Sequence, residues 1–414
     1  MPSEPHLMTT EQVADRLGIK PASVYAYVSR GLLRSRRNAD GKGSLFEKPD
    51  VDAFVASRKR PTTPGIQTGI TLIRDGNLYY RGHDACVLAR TASFEAVAAL
   101  LWAGDLERTE FVPNAELRDL AARVTMQLPA AARTTDRLRV VVAAAAAADP
   151  LRFDTSPTAV MTTGRTMLAT MVAALPLAAN PTDCRTLRDA GAGAGADSPE
   201  PSIAELLWHR LTPETPGSTG YHLLNAALVL LADHDIAAST LAARVAASTR
   251  AHPYAVVSAG LAALDGPLHG AASGLAHAMV ADAIASKDPV GTITGRQRSG
   301  TPVPGFGHPL YPDGDPRATA LLRMIADGPV RDTAERMIDA MRTRAGIHPN
   351  IDFALATLTL THNMPADAGE TIFAVGRTAG WLAHALEEYA DKPSRFRPTG
   401  QYAGRKPTPD REQG

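Results

Sequence analysis

Residues 368–389 read AGETIFAVGRTAGWLAHALEEY, and the apolar side chains Ile372, Val375, Ala379, Leu382 and Leu386 recur in alternating steps of three and four. Side chains so spaced stack on one face of an α-helix, because a turn takes 3.6 residues. The same period runs through 93–101, with Phe94, Val97, Leu100 and Leu101 apolar, through 117–128, and through the alanine-dense run 140–148. Alternation with period two is scarce. The stretch from Leu72 to Tyr80, LIRDGNLYY, is the exception, with Asp75-Gly76-Asn77 as a hairpin turn. From about residue 66 onward the sequence predicts an all-α body with a small β-hairpin at its entrance.

The rest of the composition narrows the class. A chain of 414 residues that is 44% hydrophobic can bury a large core and suggests two or three domains. Lys+Arg and Asp+Glu both total 43, so the whole molecule has no bias toward nucleic acid, membranes or acidic ligands. Cys86 and Cys184 stand far apart without CxxC or Cys/His ligand spacing, which argues against a disulfide framework and against a zinc site and fits a reducing cytoplasm. No basic-then-apolar leader and no window of roughly 20 apolar residues occurs, so a soluble cytoplasmic protein without membrane contact is expected. The run 191–201, GAGAGADSPEP, has the look of a phosphate loop, but no strand precedes it and prolines follow, so a flexible surface loop is predicted.

Residues 1–60 differ: they hold eleven Lys/Arg against seven Asp/Glu. Thr9 can cap a helix with Gln12 completing a capping box, and Val13, Ala14 and Leu17 form its apolar face up to Gly18. Pro21 suits the first turn of a second helix, with Val24 and Val28 inward, and Ser23, Tyr25, Tyr27 and Arg30 free to face a groove. Two short helices joined by a tight turn form a helix-turn-helix. With Arg34, Arg36, Arg37 and Lys42 following, and Leu45-Phe46 and Asp50-Val51-Asp52 beyond, this stretch resembles MerR-like and excisionase-like winged-helix domains. The resemblance implies DNA contact through Ser23, Tyr25, Tyr27, Arg30, Arg36 and Arg37. A small domain used for dimerisation or docking fits the same residues, since a fold does not by itself establish a function.

In the remainder, Gly266-Pro267-Leu268-His269-Gly270, Gly305-Phe306-Gly307-His308 followed by Asp315-Pro316-Arg317-Ala318, Pro349-Asn350-Ile351-Asp352-Phe353, and Arg377-Thr378-Ala379-Gly380-Trp381 through His384 occur in one order. With Tyr80-Arg81-Gly82 before them and Arg397-Pro398 and Tyr402 after, the stretch from about 66 to 405 resembles the citrate synthase family. The two resemblances together imply a helix-turn-helix domain over 1–60 and a citrate synthase domain over 61–414, the latter with a large subdomain (about 66–264 and 366–414) and a small one (about 265–365).

Condensing a thioester methyl with a ketone needs a base for a weakly acidic C–H and donors for two oxygens that gain negative charge. By resemblance Asp352 is the base, His269 the donor to the thioester oxygen and His308 the donor to the ketone of oxaloacetate. The two carboxylates of oxaloacetate call for guanidinium clamps, and the resemblance assigns them Arg317, Arg377 and Arg397, with His234 and Asn350 beside them. Coenzyme A is expected against Val303, Gly305, Phe306 and Gly307, whose glycines let backbone approach a ring. Arg397 is implied to reach the site of a second subunit, hence a homodimer. No cofactor or metal is expected beyond the CoA thioester substrate.

Two departures stand out. Where relatives read His-Arg-Val-Tyr-Lys this chain has His308-Pro309-Leu310-Tyr311-Pro312, and after His234 the common Glu-Leu-Asn is Asp235-Ile236-Ala237. Both leave the reacting groups in place and bear on substrate affinity. Acetyl-CoA giving citrate is the first reading. Propionyl-CoA giving 2-methylcitrate is the second, and a DNA-binding regulator that keeps the body as a metabolite sensor is the third.

Overall fold

The computed structural model describes residues 7–17, 19–29, 33–37, 43–59, 65–107, 109–178 and 200–398. The chain divides into two units, Met1–Gln67 and Thr68–Gly414. Arg30, Lys42, Cys184, Tyr402 and most of the glycine-alanine run lie outside the described residues.

In the first unit, helices Thr10–Leu17, Pro21–Ser29 and Lys48–Lys59 accompany a three-stranded antiparallel sheet, in which Ser44–Glu47 lies between Leu7–Thr9 and Arg36–Arg37. The capping box forms: Thr9 N–H donates to Gln12 Oε1 at 2.9 Å and Gln12 N–H to Thr9 Oγ1 at 3.3 Å. Val13, Ala14, Val24, Leu33, Phe46 and Val51 make the core.

The second unit is helical almost throughout, which bears out the all-α expectation; the two units together hold eighteen helices among the described residues. Its first element is the expected hairpin, Thr71–Arg74 against Asn77–Tyr80, extended by His83–Asp84 to three strands. The turn itself is the two residues Asp75-Gly76, both at positive φ, with Asn77 already in the strand. Both central residues at positive φ make the turn whose twist matches paired strands.

The helix read first from sequence, Ala368–Ala390, is buried along most of its length and packs against Gly220–Leu231, Ala238–Ser248, Pro253–Leu264, Phe94–Ala103 and Pro157–Ala173. It therefore acts as the axis of the large apolar core. Gly380 is required on it: a Cβ there would lie 2.4 Å from the Ala232 carbonyl oxygen and from Asp233 Oδ1, and the bare backbone instead donates its N–H to that carbonyl at 2.9 Å. This close approach fixes the segment just after Gly220–Leu231. A second apolar cluster, with Met279, Ile293, Met337 and Phe353, joins Ala272–Ser286, Pro289–Arg298, Pro329–Ala345 and Ile351–Thr361. Among the described residues no helix is long and apolar enough to cross a membrane.

Candidate active site

Helix Ile351–Thr361 begins at Asn350, whose Oδ1 accepts the N–H groups of Asp352 at 3.0 Å and Phe353 at 3.4 Å, while its Nδ2 donates to the Gly307 carbonyl at 3.0 Å. One side chain thus caps the helix and holds the loop ahead of His308. Gly305 sits at φ +81, and a Cβ there would come 2.9 Å from that of Phe353. The Gly305 carbonyl accepts Asn350 N–H, Gly307 N–H donates to the His348 carbonyl, and the Phe306 and Phe353 rings lie 4.7 Å apart. Val303 packs on the second cluster. The loop of His308 and the helix of Asp352 are therefore tied to each other. The Asn350 amide, read from sequence as a substrate contact, spends its oxygen and one N–H on these internal bonds.

Asp352 Oδ1 is buried without a hydrogen-bond partner. Burial pushes the carboxyl up to about 7, with Arg317 opposing and Asp315 adding to the rise. Such a group exchanges its proton near neutrality, the condition for a general base.

Three imidazoles share this electrostatic neighbourhood. His234, at the end of Gly220–Leu231, is buried, hydrogen-bonded through Nε2 to the Tyr311 hydroxyl at 2.9 Å, and edge-on to the His308 ring at 5.2 Å. Burial, then Arg317, Arg377 and the other two imidazoles, hold it well below the usual histidine range. His308 Nδ1 accepts the Leu310 N–H at 3.1 Å, so the neutral ring carries its proton on Nε2 and offers a donor. His269 Nε2 meets Ser239 Oγ at 2.8 Å, and burial followed by Arg377 lowers it to about 4. With the serine donating, its proton rests on Nδ1. Burial favours the neutral form of all three rings, and a neutral imidazole donates one hydrogen bond without carrying charge.

The arginines differ from one another. Arg377 is buried in the axial helix, donates Nε–H to the Leu231 carbonyl at 2.8 Å and stands over the Phe373 ring, but its Nη1 is buried with no partner. Burial lowers it to about 10, with Asp233 the strongest opposing charge. A buried guanidinium with an idle edge awaits an anion. Arg317 is paired already: Nε and Nη2 reach Asp315 at 3.0 and 2.8 Å, and Asp315 also accepts the Ile351 N–H at 3.1 Å. Arg397 is exposed and has no hydrogen bond or ion pair among the described residues.

A cavity of about 260 Å³ opens beside this group, lined by His234, Asp235, Ile236, Ala237, His308, Pro309 and Leu310. The helix carrying Ser239 starts at Ala237, which supplies no side-chain cap. The positive end of its dipole lies at the cavity wall, two residues after Asp235, which lines the same cavity. Pro309 and Leu310 are exposed, whereas Tyr311 between the prolines is buried on His234.

Sequence reasoning did not single out Ser239, Tyr311, Asp315 or Asp233. Ser239 holds His269, Tyr311 and Asp315 hold the expected oxaloacetate ligands His234 and Arg317, and Asp233, beside His234, accepts from Thr71 Oγ1 at 2.5 Å and has its own carbonyl bonded to the Tyr80 hydroxyl at 3.0 Å. Among the described residues no group of three or more His, Cys, Asp or Glu is placed to hold a metal ion.

In the first unit Ser23 and Tyr25 are exposed as expected. Tyr27 is not free: its ring lies 5.3 Å from that of Phe54 and packs on the core, because at three residues from Val24 it shares the apolar stripe. Arg36 pairs with Glu47 at 2.8 Å, Arg37 forms the neighbouring strand position with its side chain outside the described residues, and Arg30 also lies outside them.

A family model described as citrate synthase, C-terminal domain, matches residues 61–399, and one described as a helix-turn-helix domain matches 7–59. A 2-methylcitrate synthase of Corynebacterium glutamicum is 30% identical over 79% of this chain and 89% of its own. A citrate synthase of Acidithiobacillus ferridurans is 31% identical over 80% and 90%. The fold is similar to that of citrate synthase from Thermoplasma acidophilum in complex with carboxymethyl coenzyme A and oxaloacetate, with TM-score 0.65 and 24% identity over 86% of this chain and 98% of that one.

Proposed function

This chain belongs to the citrate synthase family, and from that premise we propose that it condenses acetyl-CoA with oxaloacetate and hydrolyses the citryl thioester to citrate and CoA. The observation that carries the reading is a partnerless carboxylate oxygen on Asp352 and a partnerless Nη1 on buried Arg377, both groups lying within the field of Arg317. One is suited to take a proton, the other to hold an anion.

Asp352 removes a proton from the acetyl methyl while His269 Nδ1–H donates to the thioester oxygen, so that a neutral enol forms instead of a free enolate. The enol carbon attacks the ketone carbon, and His308 Nε2–H donates to the ketone oxygen as it becomes the new hydroxyl. Arg377, the open edge of Arg317, and His234 hold the carboxylates. Water then cleaves the thioester, releasing CoA. The loop from Val303 to Gly307 supports the coenzyme.

Arg397 is exposed and has no partner among the described residues, which supports its reaching a second copy's site in a homodimer. Two cysteines without metal or pairing motifs support a cytoplasmic location.

With oxaloacetate fixed, kcat/KM for acetyl-CoA should exceed that for propionyl-CoA by about 10- to 200-fold, the range one methylene supplies in a pocket. Thiol release measures it. A preference for propionyl-CoA would instead assign 2-methylcitrate synthase, the activity named for the Corynebacterium relative.

A second reading concerns the first unit, and the helix-turn-helix match over 7–59 favours it: the unit contacts DNA through the exposed faces of Ser23, Tyr25 and Arg36. Binding of the full chain to duplex DNA should then weaken steeply with salt, by about 0.9 logarithmic units per tenfold salt for each phosphate contacted. DNA binding without CoA release from either acyl donor would make the protein a regulator. No binding at low salt, with turnover intact, would leave the unit a docking module.

A further inference from the structure

Four ionisable side chains, Asp233, His384, Arg244 and Glu388, are at most 2% exposed and take no part in the chemistry above. They form one line. Asp233 Oδ2 meets His384 Nε2 at 3.2 Å, His384 Nδ1 meets Arg244 Nη1 at 2.5 Å, and Arg244 Nε reaches Glu388 Oε1 at 2.5 Å. Because arginine only donates, His384 Nδ1 accepts and Nε2–H points to Asp233. Arg395 closes the line by a bidentate pair: Nε to Glu388 Oε2 at 2.7 Å, and Nη2 on Oε1.

Buried ion pairs give little net stability relative to well-packed apolar side chains, and fixing a geometry is their best-attested use. The geometry fixed here is that of the chain leaving the axial helix. Arg250 donates to the carbonyls of Glu388 and Asp391, at 2.5 and 2.6 Å, and Ser394 N–H donates to the Ser248 carbonyl at 2.7 Å. The Arg395 guanidinium also covers the Phe396 ring at 4.4 Å. Arg397 stands exposed roughly 7 Å of extended chain from the Arg395 anchor.

We propose that Arg395, locked on Glu388, is a positioning residue that aims Arg397 into the neighbouring subunit's oxaloacetate site. The inference rests on the reading that Arg397 acts across a dimer. Its role is to present another side chain; it does not touch substrate itself.

Mixed dimers of full-length chains test it. A dimer of one Asp352→Ala chain and one Arg397→Ala chain has one complete site only if Arg397 acts across the interface, so it should recover about half of wild-type turnover. An inactive mixed dimer would sink the cross-subunit reading and the inference with it. Placing Arg395→Ala on the Asp352→Ala chain, the donor of Arg397, should raise KM for oxaloacetate at least about tenfold. Arg395→Lys there should restore part of it. Arg395→Ala on the Arg397→Ala chain should add little, because that chain has nothing to present. Equal effects from the two placements, or none from the first, would overturn the positioning role while leaving the cross-subunit reading intact.

Discussion

Asp352→Asn should lower kcat by about 10²- to 10⁴-fold, the worth of a positioned general base, while KM for oxaloacetate stays largely unchanged. The amide keeps the shape of the side chain and loses only its capacity to take a proton. Three influences set that capacity here. Burial raises the carboxyl, Arg317 lowers it, Asp315 raises it, and burial wins, at about 7. The wild-type rate should therefore climb as pH rises through about 7, and the residual rate of the variant should lack that limb.

The same group gives a stability signature of opposite sign. Its folded value lies above the ordinary 3.8, so folding favours the protonated form, and ionising the group costs stability as pH rises from about 4 through 7. The rise from 3.8 to about 7 corresponds to about 4 kcal/mol at most. The asparagine variant escapes this cost. In denaturant unfolding it should outlast the wild type at pH 8, with the gap closing toward pH 4. A wild-type pH limb that persists in the variant, or an equal unfolding midpoint at both pH values, would remove Asp352 from the base's role.

How far such a site can be read from sequence depends on how local its signals are. The capping box of Thr9 and Gln12 was legible because it spans three residues and uses one helix turn. The Asp75-Gly76 turn was legible because few residues tolerate positive φ. Tyr27 misled because it was set with Ser23, Tyr25 and Arg30 on the outward face, while its position three residues from Val24 put the ring against Phe54. Asn350 was placed among substrate contacts by its motif, and its amide turned out to serve the helix start and the Gly307 carbonyl. Ser239 and Tyr311 stand 30 and 77 residues from the histidines they hold. The Asp233 to Arg395 line joins partners up to 151 residues apart, across helices whose periodicity says nothing about which faces meet.

Arg377→Met should separate binding from stability. Losing one member of a buried charged hydrogen-bonding pair typically costs 2–5 kcal/mol of binding, so KM for oxaloacetate should rise at least about 30-fold, since about 1.4 kcal/mol is tenfold. Without ligand the balance is different. The wild-type guanidinium is buried, has an unused Nη1 and is pushed down to about 10 by burial, so its charge is a burden on the empty fold. Methionine removes that burden, fills much of the volume beside Phe373, and leaves the Leu231 carbonyl without its donor, a loss of about 1 kcal/mol. The two effects nearly offset, and the variant should melt within a few degrees of the wild type. Oxaloacetate at 100 times its wild-type Kd should then stabilise the wild type by about 2.7 kcal/mol and the variant by no more than about 0.9 kcal/mol at the same concentration. The guanidinium is destabilising until a carboxylate arrives, and an equal oxaloacetate-induced shift in both proteins would show that the anion binds elsewhere.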